Sequence, residues 1–252
     1  MTEEINNLTN RKLRTPRAAA LAGIAFAILF IISLVLIRIS VPENLNDSGE
    51  WLVEHAGRIA LAIGLIPFSG IAFLWFLGVI RDLLGDFEDR FFSTVFFGSG
   101  LLFIAMTFIS AAIAASLMSI YAVEPSILLQ TPTYAFNRAF MFQITNVYGL
   151  RMAGVFMMSL GTIWTRTKIM PRILVFLTYG LAFVLLLGLN FSLWLSLVFP
   201  GWVFVISVEI LFLNFQKQKA LITGDMTEKT SPAERTLVDN RLFEDSDPDN
   251  KE

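Results

Sequence analysis

Residues Gly78–Gly100 read GVIRDLLGDFEDRFFSTVFFGSG, and the reading of this stretch decides the fold. Arg81, Asp82, Asp86, Glu88, Asp89 and Arg90 crowd its middle, while the runs on either side, Ile59–Ile80 and Phe91–Met118, carry no charge at all. A helix rises ~1.5 Å per residue, so ~20 residues cross the ~30 Å hydrocarbon core of a bilayer. Each flanking run is long enough. The charged turn is therefore expected where the chain leaves one leaflet, meets water and goes back.

Composition points the same way. The 252 residues are 55% hydrophobic and only 16% charged, whereas soluble domains carry roughly 25% charged residues. Phe is abundant, at 24 residues, as expected where side chains face lipid. A net charge of −2 gives no attraction for nucleic acid. The absence of Cys excludes disulfides, thiolate metal sites and thiol nucleophiles. A single histidine, His55, excludes a multi-His metal site. No P-loop, dinucleotide fingerprint, H-E-x-x-H or G-x-S-x-G occurs, so no cofactor, metal or catalytic residue is assigned.

Outward from the turn, the same argument gives an all-α, polytopic transmembrane helix bundle of six spans: 18–37, 59–80, 91–118, 140–164, 173–189 and 194–215. Residues 1–17 form a basic arm. The run after it exceeds the apolar region of a signal peptide and has no A-x-A-like cleavage site, so it reads as a retained first span. Residues 173–215 would measure ~65 Å as one helix, over twice the hydrocarbon thickness, so two spans are preferred. Trp51 in the first loop, and Tyr121 and Tyr134 in the second (119–139), are expected at the headgroups. Pro67 and Pro200 fall inside spans and mark places where helices could break. From Gln216 the chain turns polar, with nine acidic and six basic residues. Residues 216–252 are expected to be a solvated, disordered tail. Lys and Arg near the span ends number eleven on one side and three (Arg38, Arg58, Arg138) on the other. That bias puts both termini in the cytoplasm of a cell membrane.

Ionisable groups inside spans are costly and usually face a partner or a wet cavity. Arg151 and Glu209 are such groups, and an interhelical pair between them is expected. Asn137 and Tyr148 fall within about 60° of Arg151 on a helical wheel. Arg151, Glu209, Tyr148 and Asn137 are thus the candidate substrate-binding set; the bland alternative is a pair that only fixes packing. Asp82, Asp86 and Asp89 share a helical face that could attract a hard cation, but a solvated charged cap explains them more simply. His55 reads as an ordinary loop histidine. Ser110–Ser116, Gly149–Ala153 and Gly154/Gly161 are small-residue faces that let helices approach closely, within the chain, in a homo-oligomer or against a membrane partner.

Gly78, Asp82 and Gly85 spell G-x-x-x-D-x-x-G, which resembles part of the cytoplasmic signature of major facilitator transporters. Leu83, Asp86 and Phe87 occupy its basic positions, and six spans are half that family's number. The longer run Arg81–Phe103 more closely resembles a group of uncharacterised bacterial integral membrane proteins. That resemblance implies a multi-span bundle in a bacterial membrane and brings no activity, so it assigns no residue a role. Three functions fit the sequence. The first is a non-enzymatic membrane subunit or scaffold. The second is a small permease whose path passes Arg151 and Glu209. The third is an intramembrane enzyme acting on a lipid or apolar substrate.

Overall fold

The computed structural model describes residues 2–42, 49, 51–84, 90–123, 132–168, 170–188 and 193–229. Among them every regular element is a helix: α1 (Thr2–Ser40), α2 (Trp51–Glu54), α3 (Ala56–Leu84), α4 (Arg90–Val123) and α5 (Pro132–Phe142). A π-helical segment (Gln143–Gly149) joins α5 directly to α6 (Leu150–Thr167). Then follow α7 (Arg172–Leu187), a 3-10 turn (Leu193–Leu197) and α8 (Val198–Lys229). Asp86, Glu88 and Asp89 of the charged turn, the 189–192 connection and the tail beyond 229 lie outside the described residues.

Successive long helices run antiparallel, as their cross-contacts show. Ser33 donates to the Ala62 carbonyl at 2.8 Å, and Phe26 meets Phe73 at 4.8 Å between ring centroids. Along α3 and α4, Phe73 meets Phe103; along α4 and α6, Phe96 meets Phe156 at 4.7 Å. Along α6 and α7, Tyr179 donates to Thr162, and along α7 and α8, Trp202 donates to Thr178 at 2.9 Å. The packed unit comprises Met1–Ile210. Among the described residues, four helices (Arg17–Ser40, Ala56–Asp82, Phe91–Val123, Trp194–Gln216) are long and apolar enough to cross a membrane, and Arg172–Leu187 is a shorter apolar helix.

The pattern of burial explains why such a chain needs lipid. Its core is aromatic: Phe73 packs against Phe26, Phe76, Phe103, Phe156 and Phe199. Tilted and edge-on rings at these spacings gain ~0.5–1.5 kcal/mol per pair beyond area burial. Yet Trp75, Phe68, Phe176, Phe183 and Ile173 point outward, and Ile173 is 84% exposed. Large apolar side chains cover the inside and the outside alike, and water would be a poor solvent for that outer face. Together, the apolar helices and this outer surface make the protein an all-α membrane bundle.

Small residues set the spacing. A Cβ on Gly154 would lie 2.9 Å from Leu186 Cγ and 3.1 Å from the Ala182 carbonyl; one on Gly161 would meet Thr178 and Tyr179 at ordinary contact distance. The expected close approach at these glycines is therefore the α6–α7 hairpin. It is turned by Lys168 in the left-handed conformation (φ 55°), whose N–H bonds the Trp164 carbonyl at 2.9 Å and closes α6.

Several boundaries move. α1 begins at Thr2, so the basic arm is helical, and α8 runs on to Lys229, past the Phe215 limit set by composition. Leu211–Glu252 form a unit of their own, whose described part, to Lys229, is helix where a disordered tail was expected. Polar residues of good propensity are compatible with an α-helix. Pro200 does not break a span: it lies in the first turn of α8, where its missing N–H has no intrahelical partner anyway. Pro67 lies inside a continuous α3.

Candidate functional site

At one end of the bundle, the end reached by the C-terminus of α1 and the N-termini of α3 and α5, a second small core forms. Trp51, Leu52, Ile59, Leu117 and Tyr134 are buried there together. Trp51 and Tyr134, read as headgroup anchors, are 8% and 5% exposed. The reason is mutual. The Trp51 indole N–H donates to the Tyr134 hydroxyl at 3.0 Å, so each satisfies the polar atom that would otherwise have drawn it toward water.

Arg138 completes this cap. One turn after Tyr134 on α5, it is 7% exposed. Its Nη2 donates to the Pro42 carbonyl at 2.8 Å and its Nη1 to the Tyr134 hydroxyl at 3.3 Å. Its guanidinium carbon stands 5.2 Å from the Trp51 ring centre. These contacts tie α5 to the end of α1 and to α2. Burial lowers the Arg138 pKa from its ordinary value and raises that of the Tyr134 hydroxyl. An arginine stays charged regardless.

Beneath the cap lies a partly open cavity of ≈ 200 Å³. Ile59, Ile63 and Ile66 form one wall; Ser110, Ala111 and Ala114 form another. The small stretch Ser110–Ser116, expected to seat a helix, instead leaves this space. Alanine side chains are too short to fill it, and the cap and the α5–π–α6 rod hold the neighbouring helices in place around it. Arg38, stacked over Trp194 at 5.7 Å, and Arg138 sit at the capped end. Thr107, Ser110, Thr145 and Asn146 lie deeper.

The π segment shapes the deep end. Bonding from i to i+5 spreads more residues over each turn than an α-helix does. The 100°-per-residue wheel therefore loses phase between Asn137 and Arg151. Several helical Ser and Thr of this chain donate to the carbonyl four residues back, as Thr107, Thr162 and Thr178 do. Thr145 Oγ1, in the π segment, is buried without a partner, as are the hydroxyls of Ser40 and Ser207. Single π turns recur at functional sites.

The residues singled out from sequence do not assemble. Arg151 is half-buried, and its Nη1 donates to the Val147 carbonyl of its own helix at 3.3 Å. Glu209 is half-buried, and no ion pair joins the two among the described residues. Tyr148 is 57% exposed. Asn137 is half-buried on α5. None of the four lines the cavity. The Arg151 guanidinium turns to its own backbone rather than to Glu209, and the wheel that groups Asn137 and Tyr148 with Arg151 assumes an α-helical turn through a segment that is π-helical. Of the proposed carboxylate cluster only Asp82 is described, and no group of three metal-ligating side chains occurs among the described residues.

Nothing in the sequence around Arg138 and Trp51, 87 residues apart, marks them as members of one site. One signal was present: Tyr134 and Arg138 stand at i, i+4, where side chains meet on a helix. Comparison with protein-family models, with curated proteins and with solved structures returned no match.

Proposed function

We propose that this chain is a non-enzymatic integral membrane protein that works by holding a small, largely apolar molecule in the cavity beneath the Trp51–Arg138 cap. In this reading it crosses a bacterial cytoplasmic membrane six times, keeps both termini inside, and acts as a binding subunit rather than a catalyst. The observation that carries the proposal is the cavity itself. Native interiors pack to the density of organic crystals, with few voids larger than a water molecule, and apolar cavities of ~150 Å³ take up benzene. A partly open space of ≈ 200 Å³ with a predominantly apolar lining is therefore room for such a molecule. Among the described residues, the lining includes no Asp, Glu, His or Lys to serve as a base, and this supports a binding role. The bias of cations toward one face and the alternation of helix direction support six crossings.

The test is ligand-linked stability. A ligand that binds only the folded state raises stability by RT ln(1 + [L]/Kd). Toluene is expected to raise the melting temperature of the detergent-solubilised protein, and Ala114→Phe, which fills the space, is expected to abolish that rise. Equal responses in both proteins would refute the proposal.

A further inference from the structure

Ser110 on α4 and Asn146 on the π segment reach the cavity at the same level. Met106, one turn before Ser110, lies 3.9 Å from where a Gly149 Cβ would stand, three residues after Asn146. Both retain hydrogen-bonding capacity. The Ser110 hydroxyl has no partner among the described residues and, unlike Thr145 Oγ1, is not sealed in by protein atoms. Asn146 Nδ2 donates to the Phe142 carbonyl at 3.2 Å, and its carboxamide oxygen accepts nothing. Around them stand Phe30, Ile66, Ala111 and Ala114.

We infer that the ligand is a neutral, single-ring-sized molecule carrying a hydroxyl between Ser110 and Asn146, of the phenol class. This rests on the cavity being a binding site, as proposed above, and specifies what it binds. Size sets the ring: the space exceeds that of a benzene-binding cavity by a few atoms' worth. Two polar groups on facing elements, open to the cavity and with hydrogen-bonding capacity to spare, ask for a hydroxyl: its proton goes to the Asn146 carboxamide oxygen and its oxygen accepts from Ser110. Neutrality follows from the described walls, whose charged side chains, Arg38 and Arg138, stand at the capped end, so that an ion at this level would lose its hydration. Arg138 lies eight residues from Asn146 along the rod, roughly 12 Å at 1.5 Å per residue, and is engaged with Pro42, Tyr134 and Trp51.

The experiment uses the full chain in lipid nanodiscs, with toluene, phenol and benzoate as probes and ligand-induced thermal shift as the readout. Ser110→Ala removes one atom from a helix that favours alanine, so its folding is not at stake; Asn146→Leu is the second variant. Each is expected to weaken phenol binding about tenfold while leaving toluene unchanged. If toluene and phenol both bind and neither variant alters phenol, the oxygen recognition is overturned while the binding cavity stands. If benzoate binds more tightly than phenol, neutrality is overturned. If no probe binds the wild type, and Ala114→Phe behaves like it, both this inference and the function beneath it fall.

Discussion

Arg138 is the side chain on which the capped end depends, and replacing it with methionine isolates its head group. Methionine keeps an unbranched stem of similar reach and deletes the guanidinium. The 2.8 Å bond to the Pro42 carbonyl is charge-assisted, a kind worth about 1.5–3 kcal/mol. Pro42 is itself exposed, so water replaces part of that bond and the lower figure applies. The 3.3 Å bond to Tyr134 is long and contributes about 0.5 kcal/mol. The stacking over Trp51 at 5.2 Å adds about 1 kcal/mol. Against these stands the desolvation cost of a buried cation, which disappears with it. The net expectation is a loss of about 2 kcal/mol, or roughly 5 °C for a chain of this length. Thermal unfolding in detergent, followed by tryptophan fluorescence, measures it. Arg58→Met, at an exposed position, is the control and should change nothing. In a Trp51→Leu background the cost of Arg138→Met should fall by about 1 kcal/mol, because the ring is already gone. An Arg138→Met protein as stable as wild type, or more so, would refute the cap as described.

Other perturbations separate the remaining parts of the account. Gly154→Ala should destabilise by about 1–2 kcal/mol, since the new methyl presses on Leu186 and a backbone carbonyl, while Gly161→Ala should stay within about 0.5 kcal/mol; chemical denaturation of both variants tests the contrast. Phe73→Ala, at the centre of the aromatic core, should cost about 3–5 kcal/mol, whereas Phe68→Ala, 63% exposed, should cost little in the same assay. Burial holds the Tyr134 pKa above its ordinary value of 10.0. The unfolded chain therefore releases that proton first: full stability should persist below about pH 10 and fall as pH rises toward the folded value. A Tyr134→Phe variant, compared by alkaline titration of unfolding, should lack this component of the decline.

The helical architecture was legible because its signal is summed over whole runs. Twenty-eight uncharged residues in Phe91–Met118 outweigh any local ambiguity. Boundaries were less so: nothing in the composition of 216–229 separates a polar helix from a polar coil. The site was legible least. Trp51 and Tyr134 each look like headgroup anchors when read alone, and only their mutual hydrogen bond, across 83 residues of sequence, turns them inward. Arg151 stands out as a charge inside a span, but its guanidinium bonds its own backbone rather than Glu209. The π segment was invisible to a wheel that assumes a constant turn per residue. Ser110–Ser116 was read correctly as small, but smallness leaves a cavity as readily as it admits a neighbour, and which one results depends on helices far away in sequence.

The most direct test of the account concerns Met170, at the turn between α6 and α7. If α6 and α7 both cross the membrane, a reporter fused after Met170 reads cytoplasmic, like one after Leu84 and unlike one after Leu128. If Met170 instead reads with Leu128, that helix pair does not cross, the six-pass bundle is wrong, and the cavity built against its α5–π–α6 rod loses its frame.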